Sequence, residues 1–293
     1  MVLLFAFPEY EELTANINKE LGFKLGDVTV RHFPDGESFV KLSTDVKGKD
    51  VIVVCGLDNP DQKAMALMFF TNVAKELGAN KVGLIAPYLG YMRQDKKFHD
   101  GEAITSNIFA KFLSEQIDWL VTIDPHLHRH KSLDEIYSIP SKVLHASDAI
   151  AAWIKTNIKN PVLIGPDEES EQWVSDVAKK AGSPFIVLTK IRHGDKEVEV
   201  SIPDVEKYNN RTPVLVDDII STARTMIETT EHLKSAGIQP AICIGVHAIF
   251  ADNAYEELKK SSVSQIVTCN TITHPSNKID ISSLIAEAVK SFV

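Results

Sequence analysis

Two adjacent carboxylates, Asp217 and Asp218, follow an apolar run that ends at Val216, and residues 221–225 then add three hydroxyl side chains. A helix that begins after such a turn presents free backbone N–H groups and a partial positive charge, which suit a phosphate. Carboxylates beside a phosphate would repel it unless they hold sugar hydroxyls or a hydrated Mg²⁺. The pattern therefore indicates a sugar-phosphate site. An N-capped helix with acids near its first turn is the structural alternative.

A cluster of cations follows a different apolar run. Arg93, Lys96 and Lys97 lie around Gln94 and Asp95 in a chain whose formal net charge is −9. Arginine makes forked contacts with phosphate oxygens and lysine contributes a point charge, so this composition favours a polyphosphate ligand. A solvated basic turn is the alternative.

Phe33, Asp35 and Glu37 lie on a short turn near the start of the chain. The Phe33 ring could stack on an adenine, and either carboxylate could accept a hydrogen bond from the adenine amino group. A plain turn with an exposed pair of acids is the alternative.

A second pair of cations, Lys190 and Arg192, lies between an apolar run at 185–188 and a polar stretch at 193–199 that contains Gly194. Enzymes that transfer phosphoryl groups mainly position them and neutralise the charge that develops. The pattern is typical of a loop that brings two cations to such a reaction. A solvated hairpin is the alternative.

Three histidines, His126, His128 and His130, alternate after Asp124. Alternate residues of an extended chain share a face, so a zinc site with three histidines has to be considered. The spacing suggests neither a catalytic base nor a closing ligand, which argues against a zinc hydrolase.

Short apolar runs alternate with amphipathic segments along the chain, as in the strand predicted at 51–54 and the helix at 64–77 that ends at Gly78. This alternation predicts parallel sheets flanked by helices. The same plan recurs from Pro213 onward, so we expect two related α/β halves with a boundary between 138 and 147.

If the halves correspond, residues 51–62 match residues 213–225. The first copy contains the sequence from Cys55 to Pro60, without the paired acids and hydroxyls of the second. We therefore expect the second half to bind the sugar phosphate and the first half to have another function.

Composition sets further limits. The 293 residues suffice for about two domains, and the net charge of −9 argues against a nucleic-acid polymer as partner. Three widely spaced cysteines without a C-x-x-C motif argue against a disulfide framework or zinc knuckle. No apolar run reaches membrane-spanning length and no secretory signal is recognisable, so we expect a cytoplasmic protein without a membrane partner.

The stretch from Val214 to Thr225 resembles the phosphoribosyl-diphosphate signature of type I phosphoribosyltransferases and of ribose-phosphate pyrophosphokinases. Further segments resemble the pyrophosphokinases in particular, and they occur in the same order over nearly the whole chain. These segments are Phe33–Glu37, Pro87–Lys97, Asp124–His126, Pro166–Asp167 and Lys190–Arg192.

The resemblance implies two tandem phosphoribosyltransferase-like (type I) domains with mainly parallel sheets flanked by helices. Residues 1–145 would form the ATP side and residues 146–274 the ribose 5-phosphate side, with 275–293 packing back on the first domain. The implied enzyme is a ribose-phosphate diphosphokinase, which makes 5-phosphoribosyl 1-diphosphate and AMP, and a homo-oligomer of at least two subunits. A type I phosphoribosyltransferase and a non-catalytic regulatory homologue stay open as alternatives.

The resemblance also implies roles for individual residues. ATP, the co-substrate, would contact Phe33, Asp35, Glu37, Arg93, Gln94 and Asp95. Ribose 5-phosphate would contact Asp217, Asp218, Ser221, Thr222, Ala223, Arg224 and Thr225. His126 and Asp167 would hold Mg²⁺, and Lys190 and Arg192 would stabilise the transition state.

Four positions depart from the family pattern. Ser221 stands where many relatives have aspartate, and Glu169 and Ser170 stand where they often have a pair of glycines. Arg224 replaces a common glycine, which excludes a backbone conformation open only to glycine unless the loop differs. These departures put affinity and regulation in doubt more than the type of reaction.

Overall fold

A computed structural model of the chain describes residues 1–166, 170–193, 197–201 and 208–293. These residues group into two units, one formed by Met1–His145 with Ile281–Val293 and the other by Ala146–Asp280. Within the described ranges, no helix combines the length and the apolar character that crossing a membrane requires.

The first unit contains a parallel sheet, a hairpin and flanking helices. Its strands are β1 (Val2–Ala6), β2 (Lys24–Leu25), β3 (Val28–His32), β4 (Ser38–Leu42), β5 (Asp50–Val54), β6 (Lys81–Ala86), β7 (Trp119–Ile123) and β8 (Ser141–Leu144). Its helices are α1 (Glu11–Leu21), α2 (Pro60–Glu76), α3 (Thr105–Gln116) and, numbered in chain order, α8 (Ser282–Val289).

The second unit repeats these components. Its strands are β9 (Pro161–Gly165), β10 (Phe185–Val187), β11 (Thr189–His193), β12 (Glu197–Ser201), β13 (Thr212–Ile220), β14 (Ala241–Ala248), β15 (Val263–Cys269) and β16 (Asn277–Ile279). Its helices are α4 (Ser147–Asn157), α5 (Glu171–Ala181), α6 (Arg224–Ser235) and α7 (Ala254–Lys260).

Both sheets have the same strand order. The first is β2-β1-β5-β6-β7-β8 and the second is β10-β9-β13-β14-β15-β16, and the neighbouring strands in both are parallel. Each unit also has an antiparallel hairpin, β3–β4 or β11–β12, at the same place in the chain order. The predicted fold of two α/β halves with mainly parallel sheets is confirmed.

The central strands are buried because helices cover both faces of a parallel sheet, and such strands have nearly continuous apolar sequences. All of β14 is buried, and so are the last four residues of β5. Cys55, Cys243 and Cys269 are buried free thiols, as expected from their odd number and wide spacing.

The chain terminus packs on the first unit, although over a shorter range than the expected 275–293. Residues 281–293 belong to this unit, and α8 packs against α1 there. Residues before 281 remain with the second unit because β16 pairs with β15. The ring of Phe292 stacks on Trp119 with centroids 4.6 Å apart, which anchors the last residues.

Candidate active site

The acid pair lies on the last part of β13 rather than after its end. We expected the strand to end at Val216, but β13 continues to Ile220 because it pairs with β14 as far as Ala248. Both carboxylates are half-buried, and the Asp218 N–H donates to Asp217 Oδ1 at 3.0 Å. The acids therefore lie at the carboxyl edge of a parallel sheet, where α/β folds bind ligands.

The turn after β13 has its left-handed residue at Ala223 (φ 55°), directly before α6. Arg224 is the first residue of α6 and is exposed, so it needs no glycine-like backbone freedom. The strain of a side chain in this region falls on Ala223 instead, at a cost of about 1–2 kcal/mol. Ser221 and Thr225 are half-buried beside this turn, and Thr222 is exposed.

Backbone hydrogen bonds from the segment that follows β14 stabilise the same turn. The Phe250 N–H donates to the Ile220 carbonyl oxygen (2.9 Å), and the Ala251 N–H donates to that of Ser221 (3.1 Å). Phe250 has a left-handed backbone (φ 41°), and its ring stacks on His274 at 4.6 Å. Sequence reasoning did not single out Phe250, whose signal is an aromatic residue just beyond an apolar run.

The tip of the β3–β4 hairpin carries three of the predicted ATP contacts. The Phe33 N–H donates to the Glu37 carbonyl oxygen (2.8 Å), the Gly36 N–H donates to that of Phe33 (2.9 Å), and Asp35 Oδ1 accepts from the Glu37 N–H (3.2 Å). The Arg31 guanidinium lies 4.7 Å from the centroid of the Phe33 ring. Phe33 is 40% exposed, which leaves ring surface for a base. Arg31 was not expected from the sequence.

A cavity of about 870 Å³ lies between this hairpin and α2. Its lining residues are His32, Gly36, Glu37, Ser38, Asp61, Gln62, Met65 and Phe69. Its volume lies within the usual range for small-molecule sites. Among the predicted ATP contacts, Glu37 lines this cavity. Residues 93–95, which are also predicted to contact ATP, lie in the loop after β6.

The loop after β6 is tied to the loop after β7 by an ion pair. Arg129 Nη1 donates to Asp95 Oδ1 at 2.8 Å, and the Asp95 side chain is 3% exposed. Arg93 is exposed and Gln94 is half-buried. The carboxylate predicted to contact ATP is thus occupied by a partner that sequence reasoning did not include, because β6 and β7 become neighbours only in the folded sheet.

The loop after β7 contains the predicted metal ligand His126. Both Asp124 (φ 34°) and His126 (φ 54°) have positive backbone angles, which are uncommon outside glycine. His145 Nδ1 donates to Asp124 Oδ1 at 2.7 Å. His128 is exposed, and its Nε2 forms a hydrogen bond of 3.1 Å with His126 Nδ1.

Three predicted site residues have side chains outside the described part of the structure. Lys190 and Arg192 lie on β11, opposite Val200 and Val198 of β12, and only their backbone is described. The predicted metal ligand Asp167 lies outside the described residues. The roles of all three remain predictions.

The loop between β5 and α2 occupies the place in the first unit that the acid-pair loop occupies in the second. Its residue before the helix, Asn59, also has a left-handed backbone (φ 50°), as Ala223 does before α6. The buried Asp58 carboxylate accepts from Tyr10 Oη (2.6 Å) and from Lys63 Nζ (2.9 Å). A carboxylate of this loop is therefore paired with Tyr10, directly before α1, and with Lys63, within α2, which is consistent with another function for the first copy.

Comparisons with known proteins agree with this architecture. Residues 2–116 match the family model for the N-terminal domain of ribose phosphate pyrophosphokinase, and residues 132–284 match that for the phosphoribosyl transferase domain. A crystal structure of phosphoribosylpyrophosphate synthetase from Mycobacterium smegmatis is similar with a TM-score of 0.86 and 25% identity, covering 99% of this chain and 98% of that one.

Curated relatives extend over nearly the whole chain. The ribose-phosphate pyrophosphokinase of Methanopyrus kandleri is 30% identical, with 99% of both chains covered. That of Sulfolobus acidocaldarius is 30% identical, with 93% of this chain and 95% of the relative covered. The resemblance recognised in the sequence is confirmed, and the chain belongs to the ribose-phosphate pyrophosphokinase family.

Proposed function

We propose that this chain transfers the β,γ-diphosphoryl group of ATP to the anomeric hydroxyl of ribose 5-phosphate. The hydroxyl oxygen bonds to the β-phosphorus, the bond from that phosphorus to the bridging oxygen of the α-phosphate breaks, and AMP leaves with that oxygen. The hydroxyl proton is released. The observation that carries the proposal is the acid-pair loop, kept at the carboxyl edge of the second sheet in a chain that matches pyrophosphokinases over its full length.

The ribose 5-phosphate would bind at the start of α6. The helix N-terminus and the turn at 221–225 offer N–H and hydroxyl donors to the 5-phosphate, and the half-buried Asp217 and Asp218 accept from the ribose hydroxyls. Arg224 adds an exposed cation next to the same phosphate. The backbone bonds from Phe250 and Ala251 would keep this turn in place while the ligand exchanges.

ATP would bind on the first unit. Phe33 offers an exposed ring to the adenine, and Asp35 and Glu37 offer acceptors for its amino group. Arg93 and Gln94 would contact the phosphates. The ion pair with Arg129 gives Asp95 a positioning role, because it fixes the loop that carries these two residues.

Mg²⁺ would be held by His126, by Asp167 and by phosphate oxygens. The carboxylate, phosphate oxygens and water would supply the oxygen ligands that Mg²⁺ prefers, beside a single imidazole. The ion would neutralise charge on the transferred phosphates. Lys190 and Arg192 would supply further positive charge to the transition state.

We also propose a homo-oligomer of at least two subunits in the cytoplasm. Met65 and Phe69 on α2 are 45% and 36% exposed, and Ile108 on α3 is 62% exposed. These side chains lie on two helices that contact each other, and exposed apolar patches are typical of protein–protein contacts. Free buried thiols fit a reducing compartment. Light scattering at several concentrations measures the assembly, and a monomer throughout would refute this part.

The activity is tested by measuring AMP release from ATP, ribose 5-phosphate and Mg²⁺. We expect AMP formation that requires ribose 5-phosphate and falls at least 100-fold in Lys190→Ala. Pyrophosphate release from phosphoribosyl diphosphate and a nucleobase, without AMP formation, would instead identify a phosphoribosyltransferase. No turnover in either assay would favour the regulatory homologue.

A further inference from the structure

His126 and His128 form a pair of imidazoles in the loop after β7. His126 Nδ1 and His128 Nε2 lie 3.1 Å apart, and the ring centroids are 3.9 Å apart. Two nitrogens bound side by side to one metal at about 2.1 Å each are separated by about 3.0–3.4 Å, for bond angles between 90° and the tetrahedral value. The observed 3.1 Å, which is also the length of a hydrogen bond between the two rings, falls within this range, so a cation that replaces the shared proton can bind both nitrogens.

The backbone of this loop holds the two rings on the same side. The His126 N–H donates to the Asp124 carbonyl oxygen (2.9 Å), and the His128 N–H donates to that of His126 (3.1 Å). Asp124 and His126 both have positive φ, a strain that persists only where the surrounding structure enforces it. The enforcing contacts include the Asp124 N–H, which donates to the Leu144 carbonyl oxygen (2.9 Å), and the bond from His145 to the Asp124 carboxylate.

The third histidine of the alternating series turns elsewhere. His130 Nδ1 lies 3.4 Å from Glu135 Oε2, and the His130 side chain is largely buried. The three-histidine zinc site considered from the sequence is therefore reduced to a pair. His126 is half-buried and His128 is exposed.

The ligand chemistry of such a pair differs from that of one imidazole among oxygens. Mg²⁺ binds oxygen ligands and takes nitrogen reluctantly, whereas imidazole suits the later divalent transition metals, whose affinity rises from Mn²⁺ towards Cu²⁺. A second imidazole at chelating distance therefore changes which cation the site prefers.

We propose that His126 and His128 together chelate one divalent transition metal, of the class of Co²⁺, Ni²⁺ or Zn²⁺, and that His128 sets this preference over Mg²⁺. The inference rests on the proposed function only for the phosphate oxygens that would complete the coordination. The chelating pair itself consists of two protein side chains and does not depend on the proposed function.

Co²⁺ binding to the untagged, metal-free protein tests the proposal through visible absorption and calorimetry. We expect wild-type protein to bind Co²⁺ at least tenfold more tightly than His128→Ala, since loss of a ligand weakens a metal site by at least as much as loss of a supporting contact. The matched control is His130→Ala, which removes the neighbouring imidazole and should leave Co²⁺ affinity within twofold.

A second variant separates ligand chemistry from damage to the fold. His128→Asp keeps a ligand but replaces nitrogen by oxygen, so the ratio of Co²⁺ to Mg²⁺ affinity should fall at least tenfold while Mg²⁺ affinity is kept or raised. Equal Co²⁺ affinity in wild type and His128→Ala, or equal losses in His128→Ala and His130→Ala, would overturn the proposal. Mg²⁺-dependent AMP release, measured on the same wild-type preparation, reports separately on the proposed function.

Discussion

Asp58 and Asp95 are carboxylates with a structural role in loops where a ligand-binding role would be expected. Each lies in a loop at the carboxyl edge of the first sheet, and each is nearly buried with a cationic partner, Lys63 or Arg129. A buried carboxylate without such a partner would carry a large desolvation cost. Their contribution is therefore to hold loops in place, and variants of the partners should reveal it.

Arg129→Ala should raise the KM for ATP several-fold while changing the KM for ribose 5-phosphate little. The reason is that the Asp95 charge loses its partner and the loop with Arg93 and Gln94 loses its anchor. Arg129→Lys is the matched control and should recover part of the loss, because lysine keeps the charge without the fork of arginine. Steady-state kinetics in both substrates measure this, and equal increases in both KM values would contradict the positioning role.

Tyr10→Phe should lower the free energy of unfolding by about 1.5–3 kcal/mol, the usual worth of a hydrogen bond to a charged group. The deleted hydroxyl donates to the buried Asp58 carboxylate at 2.6 Å. Glu9→Gln is the control, because Glu9 pairs with the same Lys63 from an exposed position and such pairs contribute about 0–1 kcal/mol. Urea unfolding compares the two, and equal losses would show that burial of the network is unimportant.

Stability should fall as the pH rises above about 8.5, where unfolded thiols begin to ionise. Burial raises the pKa of Cys55 and of Cys243 to about 12, so the folded state keeps protons that the unfolded state releases. The stabilisation is complete below the unfolded pKa and is lost towards the folded one, by about 2 kcal/mol for each thiol at pH 10. The pKa of Tyr10 is raised well above its usual value by burial and by Asp58, which adds to the slope.

Urea unfolding between pH 7 and pH 10 measures this slope. The double variant Cys55→Ala, Cys243→Ala should lose most of it, whatever its stability at pH 7. An unchanged slope in the double variant would contradict the thiol contribution.

At the scale of elements, the turn between β13 and α6 depends on one residue with a left-handed backbone. Sequence reasoning located the turn, but it placed the missing glycine at Arg224 and the end of the strand at Val216. The structure has the positive φ at Ala223 and the strand end at Ile220. The later strand end follows from pairing with β14, which a local pattern does not contain.

Ala223→Gly should be neutral or stabilise the protein by up to about 1 kcal/mol, because glycine takes this conformation without strain. Ala223→Val should destabilise it by at least about 1 kcal/mol and raise the KM for ribose 5-phosphate more than that for ATP, since a β-branched side chain is poorly tolerated at positive φ. Thermal unfolding and kinetics measure both effects. If the valine variant matched wild type, the backbone assignment of the turn would be wrong.

The other elements were predictable to different degrees. An apolar run predicted β5 at 51–54 and helical spacing predicted α2 at 64–77, close to the observed bounds, since burial in a parallel sheet leaves a plain signature in the sequence. The pairings Asp95–Arg129 and Asp58–Tyr10 were not predictable, because each joins residues from different loops or strands. The role of Phe250 was not predictable for the same reason, since it comes from a backbone hydrogen bond with Ile220.

At the scale of the whole molecule, the two units share one strand order but differ in their loops. Two related halves were expected because the same alternation of apolar runs and amphipathic segments recurs from Pro213 onward, and their divergence was expected because the sequence from Cys55 to Pro60 lacks the paired acids and hydroxyls. The structure adds that the first loop contains a buried carboxylate, Asp58, paired with Tyr10 and Lys63. The central claim is thus that one chain combines a nucleotide-binding half with a sugar-phosphate half for diphosphoryl transfer.

That claim is tested most directly by ³¹P NMR of a reaction that contains the protein, ATP, ribose 5-phosphate and Mg²⁺. The account predicts equal amounts of AMP and of a ribose product that carries two mutually coupled phosphorus atoms at C1 and a separate phosphate at C5. Formation of ADP with a ribose bisphosphate, or AMP release without phosphorus transfer to the sugar, would contradict it.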